Sequence, residues 1–422
     1  MLYKGNFFCG SGKKKEETHP YINYLKEEKI LVWRVSQLRL NRFECVLSAV
    51  LHEDPKVVPQ VIGFTTDMAE AKLMPFLEKE YADLNRGRFP KSSIQKREVT
   101  HRFEKDLRVA DHLDVFIVHA GSGGFRTVKT IDAEERWKIV EWETGAAWRV
   151  GTTRNVWARE YIRYPVECEE DLENLRLPDP DASERYEGME KAIKHVMDEG
   201  FFPLCSINGF FSGVWYFIRG PLHKILKDLY VNKDFFAKLI REIGEFNLKA
   251  EKNLLERGAL MIGWVDDLGY NKGTFMNPKL YEELIFPWHK KAIELAHKHG
   301  AFVNMHSHGN INAIIPLLVD AGLDILNPIG PSDNMDLAAL KEKYGEKICL
   351  QGGLSKRIGF MGKEELKQHL IDRISIGSPG GGFILSSEGE LPYEMKPENF
   401  LYFVKLSRKY RRNAVSLTNR GD

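Results

Sequence analysis

Residues 301–309 read AFVNMHSHG, a short apolar run that ends in a cluster of polar and small residues. The same format recurs at six other places along the chain, at 113–121, 202–209, 260–269, 323–328, 347–353 and 382–389. Charged, amphipathic windows that are typical of helices lie between the later runs, at 222–257, 278–299 and 336–345. The chain therefore alternates between strands and helices.

This alternation predicts parallel strands that are joined by helical crossovers. Because the runs are almost continuously apolar, we expect both faces of the sheet to be buried. Seven runs, with an eighth strand placed near residues 57–62, predict a closed (β/α)8 TIM barrel. A doubly wound sheet is the alternative, but the sequence contains no glycine-rich dinucleotide turn to support it. We expect an N-terminal extension (1–38), the barrel (39–412) and a C-terminal tail (413–422).

Composition excludes several classes of function. The 422 residues include 61 Lys and Arg against 60 Asp and Glu, so the net charge of +1 supplies no general attraction to nucleic acid or acidic membranes. No uncharged apolar run approaches the length of a membrane span, and the N-terminus lacks a signal-peptide core. The five cysteines are scattered, which excludes a disulfide framework and a CxxC zinc module. We expect a cytoplasmic protein without a nucleic-acid or membrane partner.

Polar residues at the carboxyl ends of barrel strands converge on one mouth, where they are typical of catalytic sites. His306 and His308 are two residues apart on one strand and therefore share a face. Neutral imidazoles suit zinc, and Glu388 at the end of the last strand is a candidate third ligand. The alternative is a pair of hydrogen-bonding or proton-shuttling histidines, with Glu388 or Glu390 as a solvated loop carboxylate.

Other candidates follow the remaining strands. Two adjacent acids at a strand end, Asp266 and Asp267, suit proton transfer or orientation of the imidazoles. The alternative is a turn in which one aspartate caps the next segment. Single polar or aromatic residues at predicted mouth positions are candidates for substrate contacts or pocket shape: Asn208, His119, Tyr216 and Trp264.

In their order along the chain, these segments resemble the uroporphyrinogen decarboxylase superfamily. The segments that carry the resemblance run from about residue 41 to 410: NRFECVLSAVLHEDPKVVPQVIGFT, DLENLRLPDPD, NGFFSGVWYFIRGP, WVDDLGYNKGTFMNPKLYEELIFPWHKKAI, HSHGNINAIIPLLVDAGLDILNP, LKEKYGEKICLQGG and GFILSSEGELPYEMKPEN. The resemblance implies a (β/α)8 barrel and one of two activities, tetrapyrrole decarboxylation or zinc-dependent methyl transfer with a corrinoid.

The chain departs from the decarboxylase pattern. The decarboxylase's arginine-rich N-terminal motif has no match, and its essential aspartate falls at His119. Its catalytic tyrosine matches Tyr216, whereas its serine falls at Asp267 and its late histidine at Glu388. A substrate with four carboxylates needs cationic clamps. These departures disfavour a true uroporphyrinogen decarboxylase.

The methyltransferase branch is more similar. Its members hold zinc with a His-x-Cys pair and a later cysteine. Here the histidine is kept as His306, and the cysteine positions are occupied by His308 and Glu388, both of which are zinc-ligand types. The resemblance implies zinc held by these three residues, with Asp267, Asp266 and Tyr216 as catalytic candidates.

The resulting expectation is a zinc-dependent methyltransferase. It would move a methyl group between a corrinoid (cobalamin), on a carrier protein or free as methylcobalamin, and a thiol, O-methyl or N-methyl compound. The first alternative is a decarboxylase acting on a carboxylated tetrapyrrole or aromatic substrate. A second alternative is a non-catalytic binder of a corrinoid or tetrapyrrole. The sequence leaves a homodimer open.

Overall fold

A computed structural model describes residues 42–63, 72–81, 107–133, 137–151, 159–392 and 394–412. It also describes one short antiparallel pair, Phe7–Phe8 with Lys14–Lys15. Apart from that pair, the expected N-terminal extension and C-terminal tail lie outside the described residues, so both domain boundaries stay predictions.

Eight parallel strands form one curled sheet. They are β1 (Gln60–Val61), β2 (Ile117–Ser122), β3 (Phe202–Ser206), β4 (Met261–Val265), β5 (Phe302–His306), β6 (Ile325–Ile329), β7 (Cys349–Leu354) and β8 (Phe383–Ser387). From β2 to β8 each strand pairs with the next in the chain, and β8 pairs with β1. The amide of Phe116, just before β2, donates to the Gln60 carbonyl at 2.9 Å and links the two ends of the sheet. The predicted (β/α)8 fold is confirmed.

Helices fill the connections between strands. They are α1 (Arg42–Val50), α2 (Met74–Glu80), α3 (Leu107–Leu113), α4 (Glu169–Asn174), α5 (Met189–Asp198), α6 (Phe211–Val214), α7 (Leu222–Val231), α8 (Lys233–Glu256), α9 (Pro278–Leu280), α10 (Phe286–Lys298), α11 (Ile315–Asp320), α12 (Leu337–Tyr344), α13 (Lys363–Gly377) and α14 (Pro397–Arg411). The single window predicted at 222–257 is two helices, because Asn232 caps α8 by accepting from the Phe235 amide. Within the described residues, no helix combines the length and apolarity that a membrane span requires.

Apolar side chains fill the barrel interior near the amino ends of the strands. Each of these seven strand residues is at most 8% exposed: Ile117, Phe202, Met261, Phe302, Ile325, Cys349 and Ile384. Two residues further along their strands, Asn304 and Gln351 are buried and joined by a hydrogen bond of 3.1 Å. The barrel interior is thus a packed apolar core near the amino ends of the strands and becomes polar towards their carboxyl ends.

An antiparallel sheet that was not predicted from the sequence is inserted between β2 and β3. Its strands are Thr127–Ala133, Trp137–Trp142, Ala147–Gly151 and Arg159–Arg163. The two central strands are joined by a tight turn in which Gly145 has φ +86°. The inserted sheet packs against the barrel through Trp148, whose ring stacks on Phe217 with centroids 5.4 Å apart.

Candidate active site

His306 is the last residue of β5 and stands at the barrel mouth. Its Nδ1 lies 2.8 Å from the Asn327 side-chain oxygen. The orientation of that amide is determined, because its nitrogen donates to the Met305 carbonyl at 3.2 Å. An amide oxygen only accepts, so Nδ1 of His306 carries the proton. In neutral His306, Nε2 therefore keeps a free electron pair.

His308 lies beside His306, with ring centroids 4.7 Å apart and ring planes at 83°. Its Nδ1 is 3.2 Å from a carboxylate oxygen of Asp333. Burial lowers the pKa of His306, which favours the neutral ring. Burial also opposes the charge of His308, but the hydrogen bond to Asp333 and the negative charges of Asp267 and Asp333 together outweigh it and raise the pKa of His308. The surroundings thus favour the neutral form of His306 and the charged form of His308, although in both rings Nδ1 donates to a side-chain oxygen.

Asp267 connects these histidines to Tyr216. One carboxylate oxygen accepts from the Tyr216 hydroxyl at 3.1 Å, and the other accepts from the His308 amide at 3.0 Å. That second oxygen is also 4.0 Å from His306 Nε2. Three different connections of the barrel therefore supply one group of side chains. We call His306, His308, Asp267 and Tyr216 the mouth cluster.

Glu388 is adjacent to the mouth cluster but is engaged elsewhere. It is 3% exposed, and a Cβ at the following residue, Gly389, would lie 3.5 Å from the His308 ring. One oxygen accepts from both the amide and the hydroxyl of Ser332 at 2.7 Å. The other accepts from the Ser355 hydroxyl at 3.3 Å and the Lys356 amide at 3.1 Å. In this structure Glu388 ties together the connections that follow β6, β7 and β8.

Besides Glu388, four predicted site residues lie outside the mouth cluster. Asp266 is fully buried and bonded to protein groups on both oxygens. Trp264 is buried between the strands and helices, where it stacks on His289. The side chain of Asn208 is buried between the Phe125 amide and Asn247. His119 is on the inner face of β2, with Nε2 2.8 Å from the Ser206 hydroxyl.

The donor chemistry at the mouth can be compared with that of a zinc site. Within the described ranges, no three His, Cys, Asp or Glu side chains converge as a ready-made metal site. His306 and His308 nevertheless have the pattern of metal-binding histidines, in which the second ring nitrogen is held by an amide or carboxylate. A carboxylate oxygen of Asp267 lies 4.0 Å from Nε2 of His306. The two imidazoles fit a metal, and Asp267 fits better than the four-times-bonded Glu388.

The polar residues that support the histidines were not predicted from the sequence. Asn304, Asn327 and Gln351 form a hydrogen-bonded chain below His306, and Asp333 orients His308. One signal was available for Asn304: it shares a strand face with His306 two residues away. The pairing with Asn327 and Gln351 depends on neighbouring strands and has no local signal.

Comparisons with known proteins agree with this architecture. A family model described as Uroporphyrinogen decarboxylase (URO-D) matches residues 156–410. A uroporphyrinogen decarboxylase of Trichlorobacter lovleyi is 26% identical over 250 residues, covering 57% of this chain and 70% of that protein. One from Geobacter sulfurreducens is 25% identical over 254 residues, covering 58% and 71%.

Among solved structures, a methyltransferase from Methanosarcina mazei aligns with a TM-score of 0.60 and 15% identity, covering 88% of this chain and 99% of that one. At this identity the likeness shows the shared fold. The family model covers more than half of the chain, and it includes β3 to β8 and the whole mouth cluster. The chain therefore belongs to the uroporphyrinogen decarboxylase family.

Proposed function

We propose that this family member is a metal-dependent methyltransferase that exchanges a methyl group with a corrinoid. The observation that carries the proposal is the pair of imidazoles at the barrel mouth. Each has its Nδ1 on a side-chain oxygen, Asn327 for His306 and Asp333 for His308. This arrangement leaves both Nε2 atoms as ligands for a soft or borderline divalent ion such as zinc.

We propose His306, His308 and Asp267 as the residues that would hold zinc. A bound zinc ion would lower the pKa of a thiol or polarise the oxygen of a methyl ether. Glu388 would not contact the zinc ion. Its four hydrogen bonds would instead hold in place the connections that carry Ser332 and Lys356 at the barrel mouth. This assignment revises the ligand set that the resemblance implied, in which Glu388 was the third ligand.

The chain's own residues would manage the proton and the position of the substrate. The Tyr216 hydroxyl donates to Asp267 at 3.1 Å and can exchange a proton with a thiol or alcohol at the mouth. The hydrogen-bonded chain from His306 to Gln351 forms the floor of the site and separates it from the apolar part of the barrel core. A substrate would therefore enter from the carboxyl end of the strands, where a corrinoid carrier protein would also have to dock.

Decarboxylation is the second candidate, and one observation favours it. A decarboxylase must protonate a carbanion, and the Tyr216–Asp267 pair is a proton donor and acceptor that works without a metal. The names of the curated relatives also fit this candidate. Its substrate would be a carboxylated aromatic compound or tetrapyrrole.

Metal content separates the two candidates. We expect the purified full-length chain to bind one zinc ion, and the H306A, H308A and D267N variants to lose it. The matched control is E388Q, which keeps the side-chain size and is expected to retain zinc. Retention of zinc by D267N together with its loss from E388Q would restore Glu388 as the ligand. Absence of stoichiometric zinc from the wild type would remove the metal from the proposal.

The activity test uses methylcobalamin with a panel of thiols, and reduced cobalamin with a panel of methoxy and N-methyl compounds. We expect zinc-dependent demethylation or methylation of the cobalamin, which is measured from the change in its visible absorbance. Release of carbon dioxide from a carboxylated substrate by chelator-treated protein supports the decarboxylase instead. Tight corrinoid binding without turnover, unchanged in D267N, supports a non-catalytic binder.

A further inference from the structure

Asp266 is the sequence neighbour of Asp267, yet it has no access to the barrel mouth. Its side chain is fully buried and accepts hydrogen bonds on both oxygens. One oxygen accepts from the amides of Phe210 and Phe211, each at 3.1 Å, and the other accepts from the Ser212 amide at 2.6 Å. The carboxylate therefore binds three successive backbone amides at the start of α6.

A buried histidine and tyrosine continue from the same carboxylate. His289 in α10 places Nε2 at 2.7 Å from Asp266, and its Nδ1 lies 2.9 Å from the Tyr281 hydroxyl. All three side chains are fully buried. A carboxylate bonded to backbone amides is an acceptor, so Nε2 of His289 donates to it and Nδ1 of the neutral ring accepts from Tyr281. The bonds thus run in one direction, from Tyr281 to His289 to Asp266.

The anchored helix carries a member of the mouth cluster. α6 continues directly into a π-helical turn at Trp215–Arg219, which contains Tyr216. The hydroxyl of Ser212, on the first turn of α6, also accepts from the Asp267 amide at 2.9 Å. The start of α6 is therefore held by the side chain of Asp266 and by the backbone of Asp267. Any shift of this helix would change the distance between Tyr216 and the Asp267 carboxylate.

We propose that Tyr281, His289 and Asp266 form a positioning relay that sets the Tyr216 hydroxyl against Asp267. The relay residues touch no substrate and act through the start of α6. Geometry at such sites must be held to within about 0.5 Å, which requires supporting residues of this kind. The effect on Tyr216 follows from the contacts alone, whereas its consequence for methyl transfer rests on the proposed function.

The position of Tyr216 is measured without turnover by placing 3-fluorotyrosine at residue 216 and recording its fluorine resonance. The D267A variant, which has no side-chain acceptor at this position, gives the reference signal for a broken hydrogen bond. We expect H289A and Y281F to move the resonance towards that reference. Y281F removes one oxygen and keeps the ring, so it tests the relay even where H289A does not fold.

Two matched controls separate a relay from a general loss of stability. The first control is His297, which precedes β5 at the opposite end of the barrel and has Nε2 2.9 Å from a carboxylate oxygen of Asp324. The second is Tyr186, a buried tyrosine whose hydroxyl donates to the Pro180 carbonyl. H297A and Y186F are expected to lower the thermal midpoint but to leave the fluorine signal in place. The relay is refuted if H289A and Y281F move the signal no more than these controls do.

Activity provides a second readout. If the proposed function holds, H289A is expected to reduce kcat for methyl transfer about 10–100-fold with little change in KM. H289Q, whose side-chain amide nitrogen can replace Nε2 as a donor to Asp266, is expected to recover part of the loss. A fluorine shift in a chain that transfers no methyl group would support the relay and refute the proposed function. Unchanged fluorine signals in an active methyltransferase would refute the relay alone.

Discussion

The side-chain oxygen of Asn327 lies 2.8 Å from Nδ1 of His306, across the ladder between β5 and β6. The Asn327 nitrogen donates to the Met305 carbonyl and to Asn304, so the amide cannot be reversed without losing these bonds. One asparagine therefore determines which nitrogen of His306 is free at the barrel mouth. Residues that orient a ligand in this way tune a metal site without touching the metal.

The first prediction concerns this pair. Replacing Asn327 with Leu removes the acceptor for Nδ1 and lets the His306 ring turn or change tautomer. We expect zinc affinity to fall about 10–100-fold, measured by competition with a chromophoric chelator. N304L, one step further along the hydrogen-bonded chain, is expected to have a smaller effect. Equal affinity in wild type and N327L would contradict the orienting role.

The second prediction concerns the turn after His308. Gly309 has φ +91°, and a Cβ there would lie 2.0 Å from the Gly269 carbonyl carbon. G309A should cost the left-handed penalty of about 1–2 kcal/mol together with a steric clash, measured by urea unfolding. Gly258 is the matched control, because it has φ +86° and no atom near the position of a Cβ. If G309A lowers the free energy of unfolding no more than G258A does, the close approach of Gly309 to Gly269 does not affect stability.

The third prediction is a pH dependence that arises from Glu251. This carboxyl is fully buried in α8, and neither oxygen has a hydrogen-bond partner among the described residues. Burial raises its pKa well above the ordinary value, so the folded state holds a proton that the unfolded state releases. Stability is then full below the unfolded pKa and falls as pH rises through the folded one, by at most about 1.4 kcal/mol per pH unit.

Replacement of Glu251 by Gln removes this titration. We expect the unfolding free energy of E251Q to fall less steeply than that of the wild type between about pH 5 and pH 8. E245Q, at an exposed position on the same helix, should keep the wild-type slope. Parallel stability curves for E251Q and wild type would mean that Glu251 does not titrate with folding.

The fourth prediction concerns the amino end of the barrel. Asp114 is buried and contacts three arginines, Arg42, Arg408 and Arg411, the last of which is also fully buried. Burial opposes its charge, but Arg411 and the other two outweigh it and lower the pKa of Asp114. D114N leaves the fully buried Arg411 without its counter-charge and should cost about 3–5 kcal/mol in chemical unfolding. Asn tolerates the observed φ of +56°, so the backbone is not a second cause.

The control for this prediction is an exposed ion pair. Lys194 and Asp198 are 3.2 Å apart on α5 with both side chains more than half exposed. D198N is expected to change stability by less than about 0.5 kcal/mol. Comparable losses in D114N and D198N would show that burial does not strengthen the Asp114 contacts.

Much of the fold could be predicted because its signals are local. The apolar runs around Val303 and Ile262 are continuous because both faces of these strands are covered, and this property is visible within a few residues. The inserted sheet was not predicted, because strands such as Trp137–Trp142 do not have the apolar-run format of the barrel strands. The available signal was the pair of short segments rich in Trp, Ile and Val on either side of the turn at Gly145.

The candidate site could be predicted only in part. His306 and His308 were predicted from their spacing, and the structure places their rings side by side, although β5 ends at His306 and His308 lies in the connection that follows. Asp266 and Asp267 could not be told apart in sequence, because their roles depend on which side chain faces the packed helices. Gly389, the residue after Glu388, lies close to His308, but the four donors around the Glu388 carboxylate come from connections distant in sequence and could not be predicted.

The amino-acid sequence by itself determined the order of strands and helices and the end of the barrel at which polar groups collect. Both depend on short-range periodicity and on the rule that parallel strands share a carboxyl edge. Only the tertiary structure decided which of two adjacent aspartates faces the mouth, which nitrogen of His306 is free and which groups hold Glu388. These outcomes are set by hydrogen bonds between segments far apart in the chain, whose partners meet only when the barrel closes.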